Sequence, residues 1–289
     1  MRLALFKSPP KALCTCPSKY SLNTYTGRCG HNCVYCYAPK FPSFTGPTRP
    51  RISLLETIDQ MVEGSQKWLP VMISDCTDPY QPLEAELRLT RRCIQALARR
   101  RFPILVTTKS DLVVRDIDLL SQTPSVVAMT VTTINHQTSR LIEPNAPAPE
   151  SRISALKKLA RNGITTVARV DPIIPYFNDD WDVFEELVEL LGNAEVRQVT
   201  ISTMKPIRGF YEQVRSTKPC LEAQIRSEYA RGKAILGYQY LPSEMRAGIV
   251  QNARRIVLAQ GLKFASCREG LSELNTAICD GSSYLRSEN

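Results

Sequence analysis

Histidine is nearly missing, with two in 289 residues. A metal centre built mainly on imidazoles is therefore excluded. No apolar run approaches the roughly 20 residues that a membrane span needs, so no transmembrane helix and no membrane partner are expected. The opening Met1-Arg2-Leu3-Ala4-Leu5-Phe6-Lys7 holds neither a long apolar core nor a small-residue cleavage site. Export is not expected, and the chain reads as cytoplasmic. Internal repeats and low-complexity tracts are absent. A hydrophobic share of 43% with 22% charged residues excludes disorder and collagen-like structure. What is abundant is cysteine and positive charge. Ten cysteines in a reducing compartment point to metal or redox chemistry rather than to structural disulfides. The 37 Lys and Arg against 28 Asp and Glu leave a formal charge of +9, which favours a polyanionic partner. The length suits one large domain or two small ones.

Three cysteines crowd one short segment, Cys29-Gly30-His31-Asn32-Cys33-Val34-Tyr35-Cys36, with spacing C-x-x-x-C-x-x-C. Three thiolates on one loop can hold three corners of a cubane iron–sulfur cluster and leave the fourth iron open to an external ligand. Gly27 and Gly30 let the backbone wrap an inorganic core. The competing readings are a zinc knuckle and plain buried thiols. Zinc ligands more often come as C-x-x-C pairs with a distant second pair, and the segment is polar and glycine-bearing. Cys14, Cys16, Cys267 and Cys279 form a second set. Four thiolates there would make a fully ligated auxiliary iron–sulfur cluster or a closed zinc site, and unrelated thiols are the third alternative. Cys93 and Cys220 read as ordinary thiols.

Strand-like and helix-like segments alternate. Helices are expected over 54–68, 89–100, 116–120, 150–161 and 181–191, and strands over 20–25, 71–74, 102–107, 126–132, 164–169 and 198–202. Asn162-Gly163 is a helix stop. Alternation means an α/β fold, a parallel sheet with crossover helices. About six units fall short of an eight-stranded barrel. The pattern changes near residue 205, and 218–260 look helical and basic. The expected organisation is an N-terminal extension over 1–19, a core over 20–204 and a basic C-terminal region over 205–289. Each extension carries part of the second cysteine set.

C-x-x-x-C-x-aromatic-C, with Tyr35 in the aromatic place, resembles the signature of radical S-adenosylmethionine (SAM) enzymes. The resemblance implies a [4Fe-4S] cluster on Cys29, Cys33 and Cys36, whose open iron chelates SAM. It also implies reductive cleavage to a 5′-deoxyadenosyl radical, an electron donor such as ferredoxin or flavodoxin, and a partial (β/α)6 TIM-type barrel with the cysteine loop at its C-terminal mouth. Further segments resemble the group that contains spore photoproduct lyase: 21–25, 35–38, the Thr-Asp-Pro-Tyr-Gln-Pro-Leu-Glu run of 77–84, 108–110, Glu143-Pro144, Arg152 and Pro172-Ile173-Ile174-Pro175. The Thr-Asp-Pro run is more typical of uncharacterised relatives than of the lyase.

Through that resemblance Asp75, Thr77 and Asp78 are expected near the SAM amino group and Lys109 near its carboxylate. Thr132 and Glu143 match ribose-binding positions. Arg169 needs an anion, and Asp171 is one candidate. Cys76 stands where the lyase has a hydrogen-atom donor, in a run one residue shorter. Tyr35 and Tyr37 stand where the lyase has its radical relay. The lyase lacks the second cysteine quartet, a departure that weakens direct transfer of its function.

Arg88, Arg91, Arg92, Arg99, Arg100 and Arg101 make a basic helix. Arg226, Arg231, Lys233, Arg246, Arg254 and Arg255 extend the charge, with Tyr229, Tyr238 and Tyr240 as stacking candidates. Nucleic acid is the natural partner, and a solvated helix face is the alternative. Three classes follow. The favoured one is a radical enzyme repairing or modifying a nucleic-acid base. The others are a radical enzyme acting on a peptide or small metabolite with an auxiliary cluster, and a zinc-stapled binding module.

Overall fold

The computed structural model describes residues 1–6, 13–207 and 209–285; the parts of the terminal extensions at 7–12 and 286–289 lie outside the described residues. Its central sheet runs from one edge to the other through β1 (Ala4–Leu5), β2 (Tyr20–Leu22), β3 (Val71–Ile73), β4 (Ile104–Thr108), β5 (Ser125–Thr130), β6 (Thr165–Ile173), β7 (Gln198–Thr203) and β8 (Lys263–Ser266). Strand β1 is antiparallel to β2. From β2 to β8 every neighbouring pair is parallel. The pairings Leu22↔Ile73, Ile73↔Val106, Thr130↔Arg169 and Arg169↔Thr200 keep the C-terminal ends of these strands on one side. The main crossover helices are α1 (Leu54–Glu63), α2 (Leu89–Arg99), α3 (His136–Ile142), α4 (Pro149–Arg161), α5 (Trp181–Asn193) and α6 (Ser243–Ala259). This is the partial TIM-type barrel.

Both faces of the sheet are covered, which is why its strands are nearly continuous apolar runs. In β5 the side chains alternate. Val127 and Met129 join the outer core with Leu156 and Leu159 of α4 and Leu187 and Leu191 of α5. Val126 and Ala128 face inward, with Met72, Leu105, Val167 and the C-terminal Leu285. The tail thus fills the barrel interior. Gly281, at φ +80°, is where it passes the wall, and a Cβ there would lie 2.9 Å from Val167 Cγ2 and 3.0 Å from Val126 Cγ1.

The six units expected over 20–203 are present as β2 to β7. The strand expected over 20–25 is broken: β2 ends at Leu22, and Tyr25–Thr26 pairs instead with Arg49–Pro50. Strand β6 runs on to Ile173. The region after 204 is not only helical, because β8 returns to the sheet as a seventh parallel strand. Among the described residues no helix is long and apolar enough to cross a membrane.

Candidate active site

The cysteine loop follows β2 at the C-terminal mouth of the barrel. None of the ten cysteines is in a disulfide; Cys33 is buried, and Cys29 and Cys36 are half-buried. The loop is tied down residue by residue. The Gly30 amide donates to Gln81 Oε1 at 2.9 Å, and Asn145 Nδ2 donates to the Gly30 carbonyl at 3.0 Å. The Asn145 amide reaches the His31 carbonyl, the Val34 amide reaches the Ile142 carbonyl at the end of α3, and the Cys36 amide donates to the Cys33 carbonyl. Gly27 is obligatory: at φ +73° its Cβ would sit 1.9 Å from the Pro47 carbonyl oxygen.

Asp78, after β3, is a hub for this loop. Its Oδ1 accepts from the Thr108 hydroxyl at 2.6 Å and the Tyr80 amide at 2.9 Å. Its Oδ2 accepts from the Lys109 amide at 2.6 Å and faces His31 Nε2 at 3.3 Å. Burial alone would raise its carboxyl, but the His31 ring and these donors outweigh it and hold Asp78 at about 2. Thr77 Oγ1 donates to the Tyr25 carbonyl at 3.1 Å.

Lys109 is half-buried near Cys33, Glu143 and Asp78, whose charges outweigh the desolvation that would lower its pKa. Its Nζ lies 5.4 Å from the centre of the Tyr35 ring. Tyr35 turns its hydroxyl to Glu143, whose other oxygen accepts from Arg152 Nη1 at 2.5 Å. Burial pushes the Cys33 thiol up, and Lys109 opposes that.

Across the mouth, Asp75 Oδ1 accepts from Asn23 Nδ2 at 2.5 Å. The Cys76 thiol hydrogen-bonds to Asp75 and to the Tyr37 hydroxyl. That hydroxyl also donates to the Asp75 carbonyl, and the Tyr37 ring is 40% exposed. Burial, then the Asp75 carboxylate, hold Cys76 as a protonated thiol at neutral pH. Tyr35 and Tyr37 therefore face different partners. Arg169 pairs with Asp171, which also accepts from the Ser202 hydroxyl. Thr132 Oγ1 and Ser74 Oγ are buried at the strand ends with no hydrogen-bond partner among the described residues.

These residues fit an open-iron cluster and its ligand. The loop offers three thiols, Lys109 offers a half-buried cation near Cys33, and Thr132 offers an orphaned hydroxyl. Among the described residues no three His, Cys, Asp or Glu side chains could hold a single metal ion. That agrees with cubane ligands, each of which binds a different iron.

The second cysteine set assembles too. Cys16 hydrogen-bonds to Cys14 and Cys279, and Cys279 to Cys267. Beside them Lys19 forms a buried ion pair with Asp280. Cys93 is buried and Cys220 exposed.

Two parts of the expected nucleic-acid surface are corrected. Tyr229 and Tyr240 are 1% exposed and Tyr238 is 8% exposed, so these rings belong to the core and cannot stack on bases. On α2, Arg91 is paired with Asp116 and Asp118, and Arg92 with Asp59, while Arg100 faces Glu63. The cations near the mouth are others. Lys40 and Arg268 lie 3.3 and 4.4 Å from the Tyr238 ring centre, and Lys205 and Arg246 lie 5.2 and 5.4 Å from that of Tyr240. Sequence reasoning missed the loop's supports, His31, Gln81 and Asn145. His31 lies inside the motif and was a readable signal; Asn145 carried none.

Three likenesses place the chain. It is 34% identical over 162 residues to an uncharacterized protein of Methanocaldococcus jannaschii, covering 55% of this chain and 61% of that one. It is 26% identical over 178 residues to a radical SAM Nalpha-GlyT isomerase of Pseudomonas phage M6, covering 60% of this chain and 37% of that one. A structure of spore photoproduct lyase complexed with dinucleoside spore photoproduct shares the fold, with TM-score 0.67, 17% identity, and coverage of 91% of this chain and 78% of that one. The radical SAM superfamily model matches residues 23–202, most of the barrel and all three loop cysteines, and the chain belongs to that superfamily.

Proposed function

We propose that this radical SAM enzyme acts on a base of a nucleic acid, in repair or modification like that of spore photoproduct lyase, and that Cys76 returns a hydrogen atom to the product. The observation that carries the reading is the Cys76 thiol, kept protonated at the barrel mouth and hydrogen-bonded to Tyr37 one residue from Cys36. Cys29, Cys33 and Cys36 would hold the [4Fe-4S] cluster. When bound, the cluster and SAM supply a 5′-deoxyadenosyl radical that removes a hydrogen atom from the substrate.

Lys109 offers its ammonium to the methionine carboxylate. Asp75, which accepts from Asn23 and from the Cys76 thiol, offers its carboxylate to the amino group, and Thr132 offers its hydroxyl to the ribose. Asp78 and Glu143 have both oxygens engaged, so they position the cysteine loop and Tyr35. Thr77 and Arg169 likewise hold the loop after β3 and Asp171.

Cys76 then acts on the substrate radical. Its S–H bond breaks evenly, a C–H bond forms on the substrate carbon, and one unpaired electron stays on sulfur. The S–H bond is the weaker of the two, so the transfer runs downhill. The Tyr37 hydroxyl in contact with that sulfur can refill it with a hydrogen atom, which moves the unpaired electron to the ring. Tyr35, held by Glu143, is outside this contact.

Lys40 and Arg268 give the mouth cations suited to phosphates, while Lys205 and Arg246 are paired with buried Glu269. The names of the phage isomerase and of the lyase complex support the same substrate class. A ferredoxin- or flavodoxin-type donor supplies the electron, in the reducing cytoplasm where ten thiols persist. The same cations suit the carboxylates of a peptide or small metabolite, which is the second reading.

The test is anaerobic. The reconstituted, reduced protein is incubated with SAM and an oligonucleotide carrying spore photoproduct, and 5′-deoxyadenosine and restored thymine are quantified. Restored thymine is expected, with abnormal product from Cys76→Ala. Normal product from that variant would remove Cys76 from the mechanism. Deoxyadenosine with no change in the oligonucleotide would favour the second reading.

A further inference from the structure

The thiols of Cys14, Cys16, Cys267 and Cys279 have no part in the reaction above. We infer that they are the four ligands of a second, fully ligated [4Fe-4S] cluster inside the barrel, beneath the reaction site. This inference does not depend on what the substrate is.

Cys267 stands at the mouth-side end of β8, its amide on the Ile201 carbonyl. The chain then turns back into the barrel, where the Cys279 carbonyl accepts from Thr200 Oγ1 at 2.9 Å and Arg169 Nη1 at 3.2 Å. Cys14 and Cys16 arrive from the other end of the chain, on the segment leading to β2. Leu13 lies against Gly270, 3.4 Å from where its Cβ would be, so the two ends are packed together. The thiols then touch in a continuous series, Cys14 to Cys16 to Cys279 to Cys267.

The surroundings are those of thiolates, not of inert thiols. Buried structural cysteines sit among apolar side chains. This set has two cations beside it, Lys19 at Cys16 and Arg169 near Cys267 and Cys279. Lys19 is fully buried, and its carboxylate partner Asp280 is the residue after Cys279. Buried Lys19 and half-buried Arg169 offset the negative charge that four thiolates bring to an iron–sulfur core.

A cluster suits the arrangement better than zinc. Four thiolates on one zinc must converge on a single point, whereas the contacts here run in series from Cys14 to Cys267. On assembly each S–H bond is replaced by S–Fe, and four protons leave to solvent, with iron and sulfide supplied from outside. With all four irons ligated by protein, this cluster has no open iron for SAM. Arg169, near Cys267 and Cys279, pairs with Asp171, whose charge Tyr37 also feels.

The full chain is reconstituted anaerobically, and iron, sulfide and zinc are measured in the wild type, in Cys29→Ala/Cys33→Ala/Cys36→Ala and in Cys16→Ala/Cys279→Ala. About eight irons per chain are expected in the wild type and about four in each variant. The reduced electron paramagnetic resonance signal left in the triple variant should not respond to SAM, whereas that of the double variant should. Because Cys279 is buried, Cys14→Ala/Cys267→Ala is measured as a second double variant, with circular dichroism to select variants that fold. A triple variant without iron, or with about one zinc, overturns the inference. So does unchanged iron in any folded quartet variant.

Discussion

Asp78 is a heavily used carboxylate at the mouth, and Asp78→Asn separates two roles for it. The substitution keeps the shape. Its amide oxygen can still accept from Thr108 and Tyr80, now at 2.6 and 2.9 Å. The amide nitrogen must replace the oxygen that accepts from the Lys109 amide at 2.6 Å and faces His31 at 3.3 Å. Two donors then confront each other, and the Lys109 amide is left buried without an acceptor. One lost hydrogen bond to a charged group is worth about 1.5–3 kcal/mol, and an unsatisfied buried donor about 1–3 kcal/mol. A combined loss near 3 kcal/mol is expected, a large part of the roughly 5–15 kcal/mol that holds a folded protein. Urea unfolding of the cluster-free chain should show the midpoint lowered by about 1 M. Reconstituted protein should hold less iron, because His31 anchors the loop between Cys29 and Cys33. A stable variant with full iron that had lost only SAM affinity would refute the positioning role and make Asp78 a cofactor ligand.

Other residues give sharper single tests. Tyr35→Phe leaves Glu143 with Arg152 but removes its second donor; a stability loss of about 1–3 kcal/mol is expected in urea unfolding, and an unchanged midpoint would contradict it. Tyr37→Phe should unfold like the wild type within about 1 kcal/mol, because the ring is 40% exposed. It should complete a first turnover and then slow in rapid-quench kinetics, and normal repeated turnover would exclude Tyr37 from the relay. Gly281→Ala forces a Cβ between Val126 and Val167 at positive φ and should lower stability by roughly 1–3 kcal/mol. Gly163→Ala, at φ +76° with open space around it, should cost less in the same melts.

The barrel was legible because its strands are buried on both faces. Runs such as Ile104–Thr108 and Ser125–Thr130 are mostly apolar, and helices such as Trp181–Asn193 carry a stripe and a cap, Asp180 accepting from the Asp182 and Val183 amides. Strand β8 was not legible: Lys263–Ser266 has four residues and one large apolar side chain, and only pairing with β7 makes it a strand. The break after Leu22 was hidden because Tyr25 is as apolar as a strand residue, yet its hydroxyl turns to Glu84. At the site, spacing was enough to find the cysteine loop. Roles that depend on distant partners were not readable. Glu143 looked available for ribose until Tyr35 and Arg152 were placed on it, and the tyrosines of the basic region looked exposed until the helices closed over them. The quartet had the ligand types, but nothing local shows that residues 16 and 279 meet.

The most direct measurement of the central claim is isotopic. The reaction is run in D2O with reduced protein, SAM and the spore-photoproduct oligonucleotide, and the product is analysed by mass spectrometry. The Cys76 thiol exchanges with solvent, so restored thymine carrying one deuterium is predicted from the wild type and not from Cys76→Ala. Thymine free of deuterium, or deuterium retained in the variant, would contradict the account.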